Sequence, residues 1–518
     1  MANTKVIVIP EGKICDYIDG KFRNDTPEEY VRQTIEKRLV NEHKYLPKQI
    51  KIEYTLQMGS RKPRADIVIF DKDCTEQAQE NIKIIIECKK EAVEARNAKE
   101  GVEQLKAYMS ACLNCEWGMW TNGRQKEVYR KVKNEKGQIE FMDYTNIDAL
   151  RVSKGQILMT CSGTIGKVSF VSDTLDGLIF SHDLLRINCN KPSDAGYVYA
   201  YLKSKIGNKI LLTNSYGAVI THIEPEHLAS VPIPDAPDAV KLKIGNLIIR
   251  SYNLRDESNA LIDQATRLLV DELHLPAIED FDVENFKKGA PVDTFSVKLS
   301  DLRYRLDASY HVPIVGAITD HLTKYAGEVT TVADARISKS IILPGRFKRV
   351  YVDEGQGRVF IGGKQLFELD PSNKKYLSLS QHGDRIEKQL ELHENMTLIT
   401  CSGTIGKVAL VGKHWENWAA NQHIIRVVPA DESIAGYLNI FLASDYGYHL
   451  ITRHTYGAVI DEIDDTHVSR IPIPLLKNHD VQLQINALAL EANKKRYEAY
   501  KLEQKALEIM DKEVIYAK

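Results

Sequence analysis

Two stretches of this chain are the same nine residues: Thr160–Val168 and Thr400–Val408 both read TCSGTIGKV. Cys161 and Cys401 lie 240 residues apart, and the same spacing joins Tyr216–Ile220 to Tyr456–Ile460, both YGAVI. It also joins Val231–Pro234 (VPIP) to Ile471–Pro474 (IPIP). Three matched islands at one unbroken spacing mark a duplicated module, far longer than a solenoid unit. The chain must therefore fold with two related domains, and paired surfaces are the natural basis of whatever it recognises.

The 518 residues leave room for about three domains. The net charge of −2 does not by itself announce a nucleic-acid partner, so any basic surface must be local and offset by acid elsewhere. The opening residues MANTKVIVIPEGK lack the apolar core of a signal peptide. No run of about 18 apolar residues is present, and the eight cysteines form no scaffold pattern. The expectation is a cytoplasmic protein with no membrane span. Cys112 and Cys115 form a lone CxxC, better read as a packed pair than as a zinc site.

In the first 145 residues, Thr26 is placed to cap a helix with Pro27 in its first turn, and Tyr30, Val31, Ile35 and Leu39 keep a helical period. Ile50–Leu56 reads as a strand. Arg61–Phe70 is a basic turn entering a second, buried one, and Ile82–Lys90 is a third apolar strand interrupted by Glu87 and Lys89. Glu103–Ala111 reads as a helix with Gln104 and Tyr108 on one face. Glu87 and Lys89, two apart on a strand, point to the same side, where Asp66 on the neighbouring strand can meet them. Such an E-x-K pair is ordinarily a salt-bridged surface feature, but charge within an apolar strand must be used or paired. Two carboxylates, Asp66 and Glu87, suit Mg²⁺, and a lysine beside the metal can orient a water; this is the composition of a phosphodiester hydrolysis site.

These residues resemble the PD-(D/E)xK nuclease superfamily, and more narrowly the N-terminal nuclease domain of type I restriction R subunits. The likeness spans roughly residues 20–130 and rests on PEEYVRQ, RxDIVIF, IIECK, Gln104-x-x-x-Tyr108 and Trp120-Thr-Asn-Gly. It implies that Asp66, Glu87 and Lys89 are catalytic and that Gln104 and Tyr108 line the site and contact DNA. It also implies an assisting helix glutamate, for which Glu29 is the best match and Glu36 the second.

Each repeated half, about Gly155–Asp235 and Glu394–Pro474, reads as short strands, a glycine turn, a helix and a Pro-Ile-Pro edge. The strands are expected at Ile157–Thr160, Val168–Val171 and Leu184–Ile187, and again at Leu398–Thr400, Val408–Val411 and Ile424–Val428, with helices at Tyr197–Lys203 and Tyr437–Ser444. CSGTIGK is not a Walker loop: two residues separate its glycines and valine follows its lysine. The turn either contacts DNA phosphate through backbone amides and the lysine or is a structural hairpin. Lys241–Val270 and Gln482–Ile509 read as long helices that either pair as in a coiled coil or pack separately on their own domains.

This part, about residues 146–518, resembles the type I restriction S (specificity) subunit. The markers are GxILxTCSGTIGK, YGAVI, the IPIP edge and Arg305-Leu-Asp-Ala-Ser-Tyr-His. The resemblance implies an α+β multidomain chain: an α/β nuclease-like domain at 1–145, a truncated first target-recognition-like domain at 146–238, and a first long helix at 239–275. A full target-recognition domain at 296–476 and a second long helix at 477–518 follow. The two helices would pair antiparallel and dock a methyltransferase subunit in trans, or another copy of this chain in a homodimer. The first copy lacks its N-terminal half, which puts two-part target reading in doubt. The insert of the second copy, Val329–Gln389, carries Arg346, Lys348, Arg349, Arg358, Lys364, Lys374 and Lys375 among Phe347, Tyr351, Phe360 and Tyr376. This composition suits contact with double-stranded DNA, as against a solvated loop. Thr404, Lys407 and Tyr456 join Arg346, Lys348, Arg349, Arg358 and Lys364 as candidate DNA contacts. The chain shows no Walker loop and no methyl-donor motif. The sequence reading is a Mg²⁺-dependent, sequence-directed DNA endonuclease of a restriction or phage-defence system. The alternative is a specificity subunit whose nuclease-like domain only binds DNA.

Overall fold

A computed structural model describes residues 10–517 except 73, 75, 134–137, 146, 182, 214–221, 282–294, 303–304, 372–373 and 458–459. The first YGAVI segment, Tyr216–Ile220, lies outside the described residues. The chain divides into two compact units, Met1–Arg151 and Val152–Lys518.

In the first unit, Thr26 caps the helix Pro27–Asn41 by accepting from the Glu29 amide at 3.2 Å. A six-stranded sheet follows, in the order Ile50–Thr55, Arg64–Phe70, Ile82–Cys88, Trp117–Thr121, Lys126–Lys133, Ile139–Asp143. All neighbours are antiparallel except Ile82–Cys88 with Trp117–Thr121. That parallel pair needs a crossover, and the helix Val102–Ala111 supplies it. Val31, Ile35 and Leu39 of the N-terminal helix pack with Ile67, Ile69 and Ile86 of the sheet, as their period predicts, but Tyr30 does not join them. Tyr30 is 68% exposed, and the buried residues are Glu29, Arg32, Gln33, Glu36 and Leu39. Beside this apolar stripe the helix buries a charge network, in which Arg32 meets Asp16, Glu29, Glu36 and Glu53.

In the second unit the repeat is structural. Val168–Phe170, Ile157–Thr160 and Leu184–Ile187 form a three-stranded antiparallel sheet. Val408–Leu410, Thr397–Thr400 and Ile424–Pro429 form the same sheet in the second copy, which Ser338–Ile342 from the insert extends at its edge. The helices Pro192–Lys203 and Glu432–Ala443 also correspond. The Pro-Ile-Pro edges differ. Pro472–Leu475 is a strand because Glu328–Thr331 pairs with it, whereas Val231–Pro234 forms no strand. Among the described residues the first copy shows no counterpart of Glu328–Thr331, so the same sequence lacks a partner to pair with there.

The long helices Asp238–Glu272 and His479–Ile509 pack on one another. Lys243 pairs with Glu513, Ser251 Oγ donates to the Ala499 carbonyl at 2.8 Å, and Ser258 Oγ donates to that of Ala492 at 2.9 Å. One residue number rises as the other falls, so the helices are antiparallel. The rest of the insert forms a small sheet, Tyr351–Val352, Lys375–Ser378, Gly357–Ile361 and Ala419–Ala420. Among the described residues no helix is long and apolar enough to cross a membrane.

Candidate functional site

Arg64–Phe70 and Ile82–Cys88 pair with Ile67 opposite Ile86, which sets Asp66 beside Glu87. The Asp66 amide donates to Glu87 Oε1 at 3.2 Å, and the Cys88 amide donates to Asp66 Oδ2 at 2.7 Å. Lys89 leaves the strand end held by its own amide on the Thr121 carbonyl. Its Nζ lies 3.0 Å from Glu87 Oε2 and 3.3 Å from Asp66 Oδ2. The Glu87 side chain is fully buried and that of Asp66 is 21% exposed, so the cluster opens to solvent on the Asp66 side.

The electrostatics follow from burial. Loss of hydration, then the neighbouring Asp66 charge, pushes Glu87 up to about 8 against the pull of Lys89. Burial alone would lower Lys89, but Glu87, Asp66 and Glu28 outweigh it and raise its pKa. Gln104 Nε2 donates to the Tyr108 hydroxyl at 2.7 Å, while the buried Gln104 Oε1 has no hydrogen-bond partner among the described residues. Burial raises the Tyr108 pKa, and the charges of Glu87, Lys89 and Asp66 act on the same hydroxyl.

Asp66, Glu87 and Lys89 are thus in direct contact, and Gln104 and Tyr108 form a bonded pair within their field. Glu29 is elsewhere: its Oε1 accepts from Arg32 at 2.8 Å and from Gln33 at 3.0 Å. Glu36 is fully buried against Arg32. The helix glutamate that reaches the cluster is Glu28, whose Oε1 is 3.6 Å from Lys89 Nζ. Helical spacing could have shown that residues 28 and 29 diverge by about 100°, but not which of them faces Lys89.

The residues present fit a hard divalent cation. Two carboxylates lie side by side, one partly open to water, with an orphaned amide oxygen buried on Gln104, and a second positive charge would relieve the raised Glu87.

In the second unit, both glycine turns are closed on themselves. The amides of Gly166 and Gly406 donate to the carbonyls of Thr160 and Thr400, and those of Lys167 and Lys407 donate to the same threonines' hydroxyls. The Gly403 amide donates to the Asp461 carbonyl. These amides are therefore committed to bonds within the protein, and Thr404 and Lys407 are exposed at the second turn. Tyr456 is 43% exposed, bridged to Glu462 through its backbone. Of the insert residues, Arg346 is ion-paired with Glu462 and Arg358 with Glu391. Arg349 donates to Gln422 over the Phe360 ring, and Lys348 and Lys364 are exposed. Phe360 is a core residue, at 5% exposure.

Residues 27–145 match the family model described as type I restriction enzyme R protein N terminus. Solved structures similar to the chain include the type I restriction-modification system S subunit from M. genitalium. It has 13% identity and a TM-score of 0.28, with 71% of this chain and 84% of that one covered. The HsdS subunit from Thermoanaerobacter tengcongensis has 14% identity and a TM-score of 0.25, with 72% and 85% covered. No curated protein matches the chain.

Proposed function

We propose that the chain is a restriction-system DNA endonuclease in which the first unit hydrolyses phosphodiesters and the second selects the DNA. The observation that carries this reading is the contact cluster of Asp66, Glu87 and Lys89, lying inside a region that matches the restriction enzyme R protein N-terminal family.

Asp66 and Glu87 are the residues that would hold Mg²⁺, which when bound supplies positive charge at the phosphate and acidifies water. Lys89 keeps its proton at Nζ, because two carboxylates face it, and presents that charge where a phosphate oxygen or attacking water would lie. Glu28 restrains the same ammonium from the helix side. Gln104 and Tyr108 orient each other and offer polar atoms for positioning the DNA strand. With no methyl-donor motif in the sequence, a methyltransferase subunit would act in trans, and a second copy of the chain is the other partner the paired helices could take.

The test is cleavage of supercoiled plasmid by the full chain in Mg²⁺, alone and with its methyltransferase, beside Lys89→Ala. Cutting that falls at least about 100-fold in the variant, with duplex binding retained, supports the nuclease. No cutting in either condition with binding intact would make the chain a specificity subunit whose first unit only binds DNA.

A further inference from the structure

The lysines of the two identical turns, 240 residues apart in sequence, arrive at adjacent residues of the insert. Lys167 Nζ is 2.7 Å from Glu368 Oε1, and Lys407 Nζ lies 5.9 Å from the centre of the Phe367 ring. Phe367 is 62% exposed. A single exposed aromatic is ordinarily unremarkable, but this one is presented by an anchored turn. Gln365 Oε1 accepts from the Gly362 amide at 3.0 Å. Leu366 is 3% exposed and packs with Ile361, Leu398 and Trp415. Asp370 is fixed by Lys374 and by Gln504 of the second long helix. The ring thus stands in water on a backbone that is tied on both sides.

The turn that carries it brings Lys364, Lys407 and the Lys167–Glu368 pair together. Glu368 is neutralised by Lys167, while Lys364 and Lys407 are exposed and have no carboxylate partner among the described residues. Phe367 and Glu368 also face a cleft of about 1,070 Å³ of mixed charge, in which Lys167, Lys205, Lys374 and Lys512 stand among Glu354, Asp370, Glu508 and Asp511 and Lys205 is paired with Glu354, so the ring has open space beside it. Protein-binding patches are apolar at the centre and poor in lysine. An exposed aromatic face with the Lys407 ammonium against it and Lys364 three residues away suits a nucleobase with its flanking phosphates.

We propose that Phe367 is a base-stacking residue of the second unit, with Lys364 and Lys407 on the adjoining phosphates of the DNA. The proposal rests on the reading of this unit as DNA-binding. Both members of the Lys167–Glu368 pair are partly exposed, so the pair opens at little cost, but opening frees the carboxylate with the ammonium and adds no net positive charge.

The test uses the full chain with a labelled mixed-sequence 40-bp duplex and a dT20 strand, titrated between roughly 50 and 300 mM salt. Phe367→Ala should weaken binding about 5- to 100-fold, the effect of one lost stack, without changing the salt slope. Phe367→Trp should restore affinity, and its emission should be quenched by DNA beyond the wild-type blank, whose four native tryptophans set the background. Lys364→Ala and Lys407→Ala should each flatten the slope by roughly 0.9 on the duplex. Thermal melting of each variant separates loss of contact from loss of fold. Wild-type affinity in Phe367→Ala overturns the proposal. If that variant instead loses assembly with a methyltransferase subunit while DNA binding is unchanged, the residue is a protein contact and the proposal is likewise overturned. A wild-type chain that binds neither probe would refute the DNA-binding reading itself, a failure distinct from the first two.

Discussion

Burial of charge is the dominant feature of the N-terminal helix. Its buried charges are Glu29, Arg32 and Glu36, and Arg32 is the hub that meets four acids, Asp16, Glu29, Glu36 and Glu53. Glu36 is the least compensated. Burial and then the Asp16 charge push it up to about 8, and among the described residues neither of its oxygens has a hydrogen-bond donor. The folded state therefore favours protonated Glu36. Its contribution is fully present below about pH 4.5 and is lost as pH rises through about 8. Glu36→Gln should match the wild type near pH 5 and exceed it near pH 9 by on the order of 2–4 kcal/mol, measured by urea unfolding at the two pH values. An equal difference at both would show that Glu36 does not titrate in this window. The Asp66, Glu87 and Lys89 cluster was readable in the sequence because strand alternation and pairing are local rules. The choice of Glu28 over Glu29 was not, since it depends on how the helix is rotated against the sheet.

The long helices show what a heptad of small residues does. Ile244, Ser251, Ser258 and Ala265 on one helix and Ile485, Ala492, Ala499 and Ala506 on the other recur every seven residues and are buried. Small side chains let a serine hydroxyl of one helix reach a backbone carbonyl of the other. Within that seam Glu503 is fully buried, bonded to Tyr199, Lys203 and Arg255. Burial opposes its ionisation, yet the two cations hold it down to about 2. Removing the carboxylate leaves both cations buried without it. Glu503→Ala should destabilise the second unit by about 3–5 kcal/mol, read as a fall in its denaturation midpoint; a loss under about 1 kcal/mol would mean the pair is hydrated. Gly196 and Gly436 are equivalent positions in the two copies. A Cβ on Gly196 would lie 2.6 Å from the Gly245 carbonyl oxygen, and one on Gly436 2.5 Å from that of Asn486. Gly436→Ala should cost about 1–3 kcal/mol in the same assay, because backbone rather than a flexible side chain is in the way. Helix pairing was legible from periodicity. The glycine contacts were not, because a glycine inside a helical pattern carries no mark of the surface that approaches it.

At the scale of the molecule, the repeat in the sequence predicted two related folds, and the shared three-stranded sheets are that repeat. What it could not predict is the asymmetry. The edge Val231–Pro234 has the sequence of a strand but no strand partner among the described residues, whereas Pro472–Leu475 has Glu328–Thr331. Strand formation is a property of the pair, so a truncated copy loses an element whose own residues are intact. The two units Met1–Arg151 and Val152–Lys518 have separate hydrophobic clusters, with Val68, Phe70, Leu105 and Trp120 in the first and Ile399, Tyr437, Phe441 and Ile485 in the second. Separate cores imply separate cooperative transitions. Calorimetry of the full chain should resolve more than one. Glu36→Gln at pH 9 should move only the transition of the first unit, upward, and Glu503→Ala only that of the second, downward. By size scaling, a change of 1 kcal/mol shifts the melting temperature by roughly 2–8 °C across domains of about 60–250 residues, so both displacements are measurable. A single transition moved by both variants would show instead that the two cores melt as one cooperative body. Effects of Lys89→Ala and Phe367→Ala could not then be assigned to separate units without first comparing their stabilities.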